Sequence, residues 1–532
     1  MQNKKKLMKQ HYITLFCLLA WTLSAFGQNL CEQAFVVTDK DCYLVGERLC
    51  LRIDVTLDGQ TPSPSRVAYI ELSDTRQLYA QTMVDLEDGQ GWAEVPLPQR
   101  MHSGTYQLTA YTRAMQAFGK ETFFHTHVGV INGEQLSRHD NIRILPYSDY
   151  KLSEVVSTGL IEGVYYRPGE EITIKMPKAN QQGCAVSISR TGIATDLAQG
   201  QPSVPLAKSA TPDKQIIPEY EGHIVRARVT QGNDASVEGS RLAMVGKMAA
   251  LYDGQPQKDG SFLYFTSNLN GSLPVMVNSY DTLGNIVPMT LVSPYATILP
   301  QSLPMLKVYS KEEELHQRAT AARQQAAINK ALEQDTLAHS LGFMSATPDY
   351  FYDLDEYTQM NDIRELLVEF VRGVQRRRHH GRTSLYTYQP ESQSYSKWPA
   401  LVLLDGMPVS DIDEILNYDA HLVRFVQIYT QRFSFGKSYC HGVISFITRG
   451  GRLSNYQLKA GTQLMSYGFP QRRPQFINYT ASAYGTQLWL PAVHAQAVNF
   501  HAPQEKGRYR ISIQGRDDQG LPFRKISEFE VK

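Results

Sequence analysis

Apolar and polar positions alternate with a period of two along most of this chain, in short runs broken by Gly, Asp and Pro, which is the pattern of half-buried β-strands. Leu49-Cys50-Leu51-Arg52-Ile53-Asp54-Val55 and Val67-Ala68-Tyr69-Ile70-Glu71-Leu72 are two such runs. A third places Tyr106, Leu108, Ala110 and Thr112 on one face. Two stretches depart from the alternation. Lys311 to about Leu337 has no glycine or proline, and Leu315, Ala319, Ala322, Ala326 and Leu332 recur at helical spacing; a long helix with a thin apolar stripe is expected there. Ala400-Leu401-Val402-Leu403-Leu404 is continuously apolar and closes on Asp405-Gly406, as a strand covered on both faces and ended by a tight turn would be. Met360 to Leu367 before it has helical spacing.

The N-terminus changes the picture most. Lys4, Lys5, Lys6 and Lys9 precede an apolar run from Ile13 to Ala20, and Ala25-Phe26-Gly27 supplies small residues for cleavage after Gly27. That is the plan of a secretory signal. The run is shorter than the ~20 residues a spanning helix needs, and no later segment approaches that length, so the mature chain is expected without a transmembrane segment. Cys31 follows Leu30 and has Gln28 three before it, a poor fit to a lipidation site. Residues 1–27 hold four lysines and no acid, leaving 49 basic against 52 acidic residues. That balance gives no footprint for nucleic acid. The run Arg376-Arg377-Arg378-His379-His380-Gly381-Arg382 is the local exception, read as a solvated hairpin tip or as a docking patch for phosphate or polysaccharide. Five cysteines remain after the signal. Cys42 and Cys50 flank an expected turn and could pair in an oxidising compartment; alternatively Cys50 is a buried strand residue.

Three resemblances add to this. The series Val37-Thr38-Asp39-Lys40, Tyr43-Leu44-Val45-Gly46-Glu47 and Ser103-Gly104-Thr105-Tyr106-Gln107-Leu108-Thr109-Ala110-Tyr111-Thr112-Arg113 resembles a macroglobulin domain of the kind found in Bacteroidota-type envelope proteins. Residues 219–265 are similar to the carboxypeptidase-regulatory-like, transthyretin-like modules of such proteins. The strand ending in Asp405-Gly406-Met407-Pro408 and the later Gly442-Val443-Ile444-Ser445-Phe446-Ile447-Thr448 resemble the plug domain of TonB-dependent receptors. About 80 residues follow Gly451, too few for the barrel such receptors carry, so a plug-like domain without its barrel is expected.

The expected fold class is therefore mainly β: several immunoglobulin-like or macroglobulin-type sandwiches in series, one helical linker and an α+β plug-like domain. The expected order is signal 1–27, macroglobulin-like sandwich 28–133, second sandwich 145–215, regulatory-like sandwich 216–305, helical linker 306–345, plug-like domain 346–455 and terminal sandwich 470–532.

Candidate chemistry is sparse. The thioester of trapping macroglobulins needs Cys and Gln three apart with Gly between them, and Cys31-Glu32-Gln33 lacks both features. Ser434-Phe435-Gly436-Lys437 and Ser394-Tyr395-Ser396-Lys397 have Ser-x-x-Lys spacing but sit among strand and loop residues rather than on a helix. His125 and His127 share a strand face and could grip a metal, while Asp349, Asp353, Asp355 and Glu356 form an acidic cluster without calcium-loop spacing. No catalytic residue, metal or cofactor is assigned. Asp405, Gly406, Pro408 and Gly442 mark the plug-like motif. The expected function is an exported, non-catalytic binding or scaffold protein of the cell envelope, periplasmic or associated with the outer membrane. Its partner is expected to be an envelope protein, with an outer-membrane protein as one candidate, and no nucleic acid. The alternative is a macroglobulin-type protease inhibitor or defence factor without a thioester, using a bait segment near 196–215.

Overall fold

A computed structural model describes residues 31–57, 61–133, 140–146, 148, 159–179, 182–195, 197, 213, 216–230, 236–246, 249–283, 285–310, 317–322, 324, 342–474 and 485–532. The signal with Gly27 lies outside them. The architecture is mainly β, with mixed and antiparallel sheets arranged as sandwiches and few short helices. The chain divides into two compact units, one drawn from 1–220, 296–327 and 473–532, the other from 221–295 and 328–472.

In the first unit, the period-two runs near the N-terminus make a two-sheet sandwich. Gln33–Thr38, Arg48–Thr56 and Gln90–Pro96 form an antiparallel three-stranded sheet. Cys42–Leu44, Phe124–Ile131, Gly104–Thr112, Val67–Ser73 and Leu78–Asp85 form the other sheet in that order. Phe35 meets Phe124 edge-on across the core, ring centres 6.1 Å apart. Every residue of Gly104–Thr112 is buried, although its alternation marks only one face as apolar. The second face is covered by polar partners instead. Glu71 is fully buried there and accepts hydrogen bonds from the Tyr111 hydroxyl (2.6 Å) and the Thr297 and Ile298 amides (3.0 Å each).

The segments expected as separate second and terminal sandwiches share one sheet. Its order is Tyr165–Tyr166, Pro522–Val531, Gly507–Arg516, Cys184–Arg190 and Thr486–Val493. Cys184–Arg190 lies between two strands from beyond residue 485, in register from Cys184↔Gly515 to Arg190↔Tyr509 on one side. Glu171–Lys175 pairs with Ala497–His501 as the second layer. Ile172, Ile174, Val186, Ile188, Tyr509, Ile511, Ile513 and Phe529 close the core between them. Neither stretch alone has enough strands for an inner face, so each completes the other.

These two sandwiches of the first unit meet through buried charge. Arg52 and Asp54 point the same way from Arg48–Thr56, 1% and 2% exposed, and pair through two 2.9 Å contacts. The remaining guanidinium donors reach the Pro491 and Gln182 carbonyls at 2.9 Å. Gln514 donates to the Thr38 carbonyl at 3.0 Å, and Arg524 pairs with Asp41 at 2.8 Å. Of the expected linker helix, 317–322 is described as helical; Ala319 and Ala322 are buried there, and Arg318 donates to the Thr191 carbonyl at 2.6 Å. The stretch just before it, Leu306–Ser310, is instead a strand between Ile142–Leu145 and Ile193–Thr195.

Cys42 and Cys50 do not pair. Both are free thiols, because Cys42 belongs to the five-stranded sheet of the first sandwich and Cys50 to the three-stranded one. Burial pushes the Cys42 thiol up to about 12, so it does not ionise at neutral pH.

In the second unit, another sandwich has Gln255–Pro256, Ser261–Phe265, Ile224–Val229 and Met289–Val292 in one layer. Ala250–Asp253, Gly239–Met244, Ser272–Tyr280 and Leu464–Gly468 make the other. Its last strand comes from beyond the span 216–305 expected for it. Between the two pieces lies a mixed-sheet module, ordered Tyr350–Asp353, Val423–Phe435, Ser438–Thr448, Leu401–Leu404 and Met407–Pro408, with Leu401–Leu404 parallel to Ser438–Thr448. Helix Ile363–Glu369 is capped by Asp362, which accepts from the Glu365 amide at 2.8 Å. Val402 and Leu404 enter one core with Ile428, Ile444 and Phe446. Leu403 enters another, with Ala243, Leu251, Phe343 and Tyr429. Both faces of the apolar run are therefore covered.

Replacing Arg52 alone should strip Asp54 of its two-contact guanidinium partner, leaving the Gln90 amide at 3.1 Å and the neighbouring buried Arg516 charge. Arg52→Met is expected to cost roughly 3–5 kcal/mol, and the double change Arg52→Met with Asp54→Leu much less. Urea denaturation followed by tryptophan fluorescence checks the order of the two; equal losses would show that the pair is not the source.

Candidate binding groove

The turn after the apolar strand organises the candidate site. Leu404 pairs with Met407, so Asp405 and Gly406 form a two-residue hairpin turn, with φ of 47° and 84°. That is the left-handed pair for which Asp-Gly is the favoured sequence. The Asp405 carboxylate is fully buried and accepts from the Thr448 amide (2.7 Å), the Thr448 hydroxyl (2.6 Å) and the Leu453 amide (2.7 Å). Burial raises its pKa above the ordinary value despite these donors. Its own carbonyl accepts from the Gly246 amide at 2.7 Å, which ties the mixed sheet to the sandwich of the same unit. A Cβ on Gly406 would stand 2.3 Å from the Met244 carbonyl oxygen, so the close approach requires glycine.

Gly442 has a related role within the module. It sits at φ 89°, where a Cβ would fall 2.2 Å from the Thr387 hydroxyl, beside a register shift between Tyr429 and Arg432. Pro408 lies on the edge strand of the sheet, where a missing N–H leaves no ladder bond unmade.

Next to this turn opens a groove of about 340 Å³. Leu401, Met407, Pro408 and Val409 come from the mixed sheet, Arg241 and Tyr280 from the sandwich, and Tyr456, Leu458 and Lys459 from the chain between them. Arg241 is held by Asp253 at 3.1 Å and donates to Ser438 at 3.2 Å. Lys459 donates to Ser410 at 3.0 Å, and the Tyr456 hydroxyl donates to Glu414 at 3.1 Å. An apolar lining with a few fixed polar groups suits recognition. The Ser410–Lys459 hydroxyl–amine contact is exposed. The four motif residues were visible in the sequence, but the groove itself was not, since its sandwich wall and its mixed-sheet wall lie more than 100 residues apart in the chain.

The other candidates are distributed elsewhere. Among the described residues no group of three or more His, Cys, Asp or Glu side chains could hold a metal ion. His125 sits 3.1 Å from the Thr109 hydroxyl. The acidic cluster is engaged by cations and amides: Asp355 pairs with Arg449 at 2.6 Å, and Asp349 accepts from the Thr430 amide at 2.6 Å. Ser434-Phe435-Gly436-Lys437 spans a hairpin in which Phe435 pairs with Ser438, and Ser394 begins a two-residue strand. Neither has the helical setting of acyl-transfer chemistry. Cys31 is buried, next to Glu32, whose carboxylate accepts from the Ser63 (2.6 Å) and Ser65 (2.9 Å) hydroxyls.

No family model matches the chain, and no curated protein does. Solved structures similar to it include Salmonella alpha-2-macroglobulin reacted with methylamine, at 10% identity over 94% of this chain and 23% of that one, TM-score 0.16. Trypsin-activated alpha-2-macroglobulin from Escherichia coli aligns at 10% identity over 95% and 42%, TM-score 0.22. Dimeric latent PorU from Porphyromonas gingivalis aligns at 8% identity over 94% and 34%, TM-score 0.14. The chain spans less than half the length of each, and TM-scores this low establish no shared fold. No helix of the described residues is long and apolar enough to cross a membrane.

Gly406→Val tests the joint that frames the groove. The left-handed backbone alone should cost about 1–3 kcal/mol, and the clash with Met244 adds to it. Pro408→Ala, on the sheet edge, should leave thermal stability nearly unchanged. Equal melting temperatures for Gly406→Val and the parent would remove the close approach as a constraint.

Proposed function

We propose that this chain is an exported, non-catalytic protein that works by binding another protein, with the groove beside Asp405–Pro408 as its contact face. The observation that carries this reading is the lining of that groove: Leu401, Met407, Val409 and Leu458 offer apolar surface, and Arg241 and Lys459 offer charge. Such a face accepts an apolar side chain flanked by an acidic one, the kind of anchored contact that dominates protein interfaces.

The partner is best read as a protease, in the manner of a macroglobulin-type defence factor, rather than as a passive envelope scaffold. The residues that resemble a macroglobulin domain come together in the first sandwich. Its Asp39 accepts from the Tyr43 hydroxyl at 2.6 Å and the Cys50 amide at 3.0 Å, and Glu47 pairs with Lys40 at 2.8 Å. Cys31-Glu32-Gln33 lacks thioester spacing. Capture would then rest on non-covalent contact and on cleavage near 196–215, a stretch almost wholly outside the described residues. The envelope-scaffold reading keeps its support from the plug-like motif, which the Asp405 turn displays.

Incubation with proteases of broad specificity separates the two. The defence reading expects cleavage within 196–215 together with lost protease activity toward large substrates. Cleavage without inhibition would sink it. The scaffold reading expects crosslinking in intact cells to recover a partner, and Leu458→Asp to weaken that capture roughly tenfold. Recovery of free monomer alone, with no inhibition, would overturn both. Intact-mass measurement of the exported protein should find an N-terminus at Gln28.

A further inference from the structure

The chain is nearly neutral, with a formal net charge of +1, yet one hairpin concentrates positive charge. Val374–His379 and Arg382–Gln389 pair in antiparallel register, closed by His380 and Gly381 at φ of 47° and 78°. Arg377, Arg378, His379 and Arg382 are all exposed. Register sorts them by face. Leu385 and Thr383, opposite Arg376 and Arg378, mark the inner face, where Leu385 is buried and Thr383 donates to Asp413 at 2.7 Å. Arg377, His379, Arg382 and Tyr386 occupy the outer face. No carboxylate among the described residues pairs with the arginines of that face.

The outer face continues into a row of aromatic rings. Arg377 lies over the Tyr386 ring at 4.4 Å and reaches the Ser396 carbonyl at 3.5 Å. Ser396 in turn donates to the Trp398 carbonyl at 2.8 Å. Trp398 is 63% exposed and stacks on His441, ring centres 6.2 Å apart. His441 meets Tyr439, 56% exposed, whose ring is covered by Arg432 at 4.0 Å. A strip of rings, Trp398, His441 and Tyr439, is therefore flanked by arginines at both ends, Arg377 with Arg382 and Arg432.

We propose that this strip binds an acidic polysaccharide, a polymer of uronic acid. The C–H faces of pyranose rings carry polarised hydrogens that suit the negative face of Trp398 and Tyr439. Carboxylates repeated along the polymer suit the planar forks of Arg377, Arg382 and Arg432, which take them in bidentate pairs. The hairpin tip, His379-His380-Gly381-Arg382, offers no large apolar side chain to insert into lipid. This site is separate from the groove, and only its preference for sugar over nucleic acid rests on the export reading.

The test uses the full chain with sodium polygalacturonate, neutral dextran of matched length, and oligodeoxythymidine. Polygalacturonate should bind, weaken with added salt, and be displaced by neither of the other two. Arg377→Ser with Arg382→Ser should weaken it at least tenfold, since each removes charge-assisted contacts, and Trp398→Ala should weaken it by about tenfold. All these side chains are exposed, and an unchanged circular dichroism spectrum confirms that the variants fold. Arg364→Ser, on a helix of the same module, removes the same charge elsewhere and should leave affinity as it was. Binding of dextran with equal affinity, stronger binding of the oligonucleotide, or an affinity unaffected by the strip variants would each overturn the proposal.

Discussion

The first unit depends on strand Cys184–Arg190 finding its two neighbours, Thr486–Val493 and Gly507–Arg516, on the far side of the chain. Without them Val186 and Ile188 have no sheet to complete and the second layer, Glu171–Lys175, has no partner. A weaker version of this holds in the second unit, where Leu464–Gly468 completes the layer begun by Gly239–Met244 and Ser272–Tyr280. The mixed-sheet module is thus bracketed in sequence by one sandwich, and that sandwich by another.

Within each unit, modules are joined by buried polar groups rather than by apolar surface alone. Arg52 and Asp54 do this in the first unit, and the Asp405 turn does it in the second. Buried charge of this kind is weak evidence of stability, because desolvation offsets much of the attraction. What it does supply is geometry: four of the five Arg52 guanidinium N–H groups have defined acceptors, and a slipped arrangement would strand them. The groove inherits that geometry. Its two walls belong to different modules, and the Gly246–Asp405 hydrogen bond ties those modules together at its end.

Much of the local structure was legible in the residues. The strands of the first sandwich follow their alternation, the Asp405-Gly406 turn follows its dipeptide, and the arginine run closes as a hairpin at His380-Gly381. Longer-range pairing was not legible, because Cys184–Arg190 carries no mark of which distant strand will flank it. Alternation was incomplete at Gly104–Thr112, where it marks one face as apolar while the other is buried too: Tyr111 by the Glu71 network and Thr109 beside Gln107 and His125. Cys42 and Cys50 are near in sequence yet belong to different sheets, which spacing cannot reveal. The groove and the aromatic strip escaped for the same reason: both collect side chains that only the folded sheets bring together.

The nesting has a consequence in time. Cys184 and Val493 are 309 residues apart, and a ribosome adding ~5–20 residues per second needs roughly 15–60 s to cross such a gap. For that interval the strand has a bare hydrogen-bonding edge on each side, an open template for any other extended segment. The second unit can close while this sheet waits, and the first sandwich, whose strands all lie between Gln33 and Ile131, can close before either.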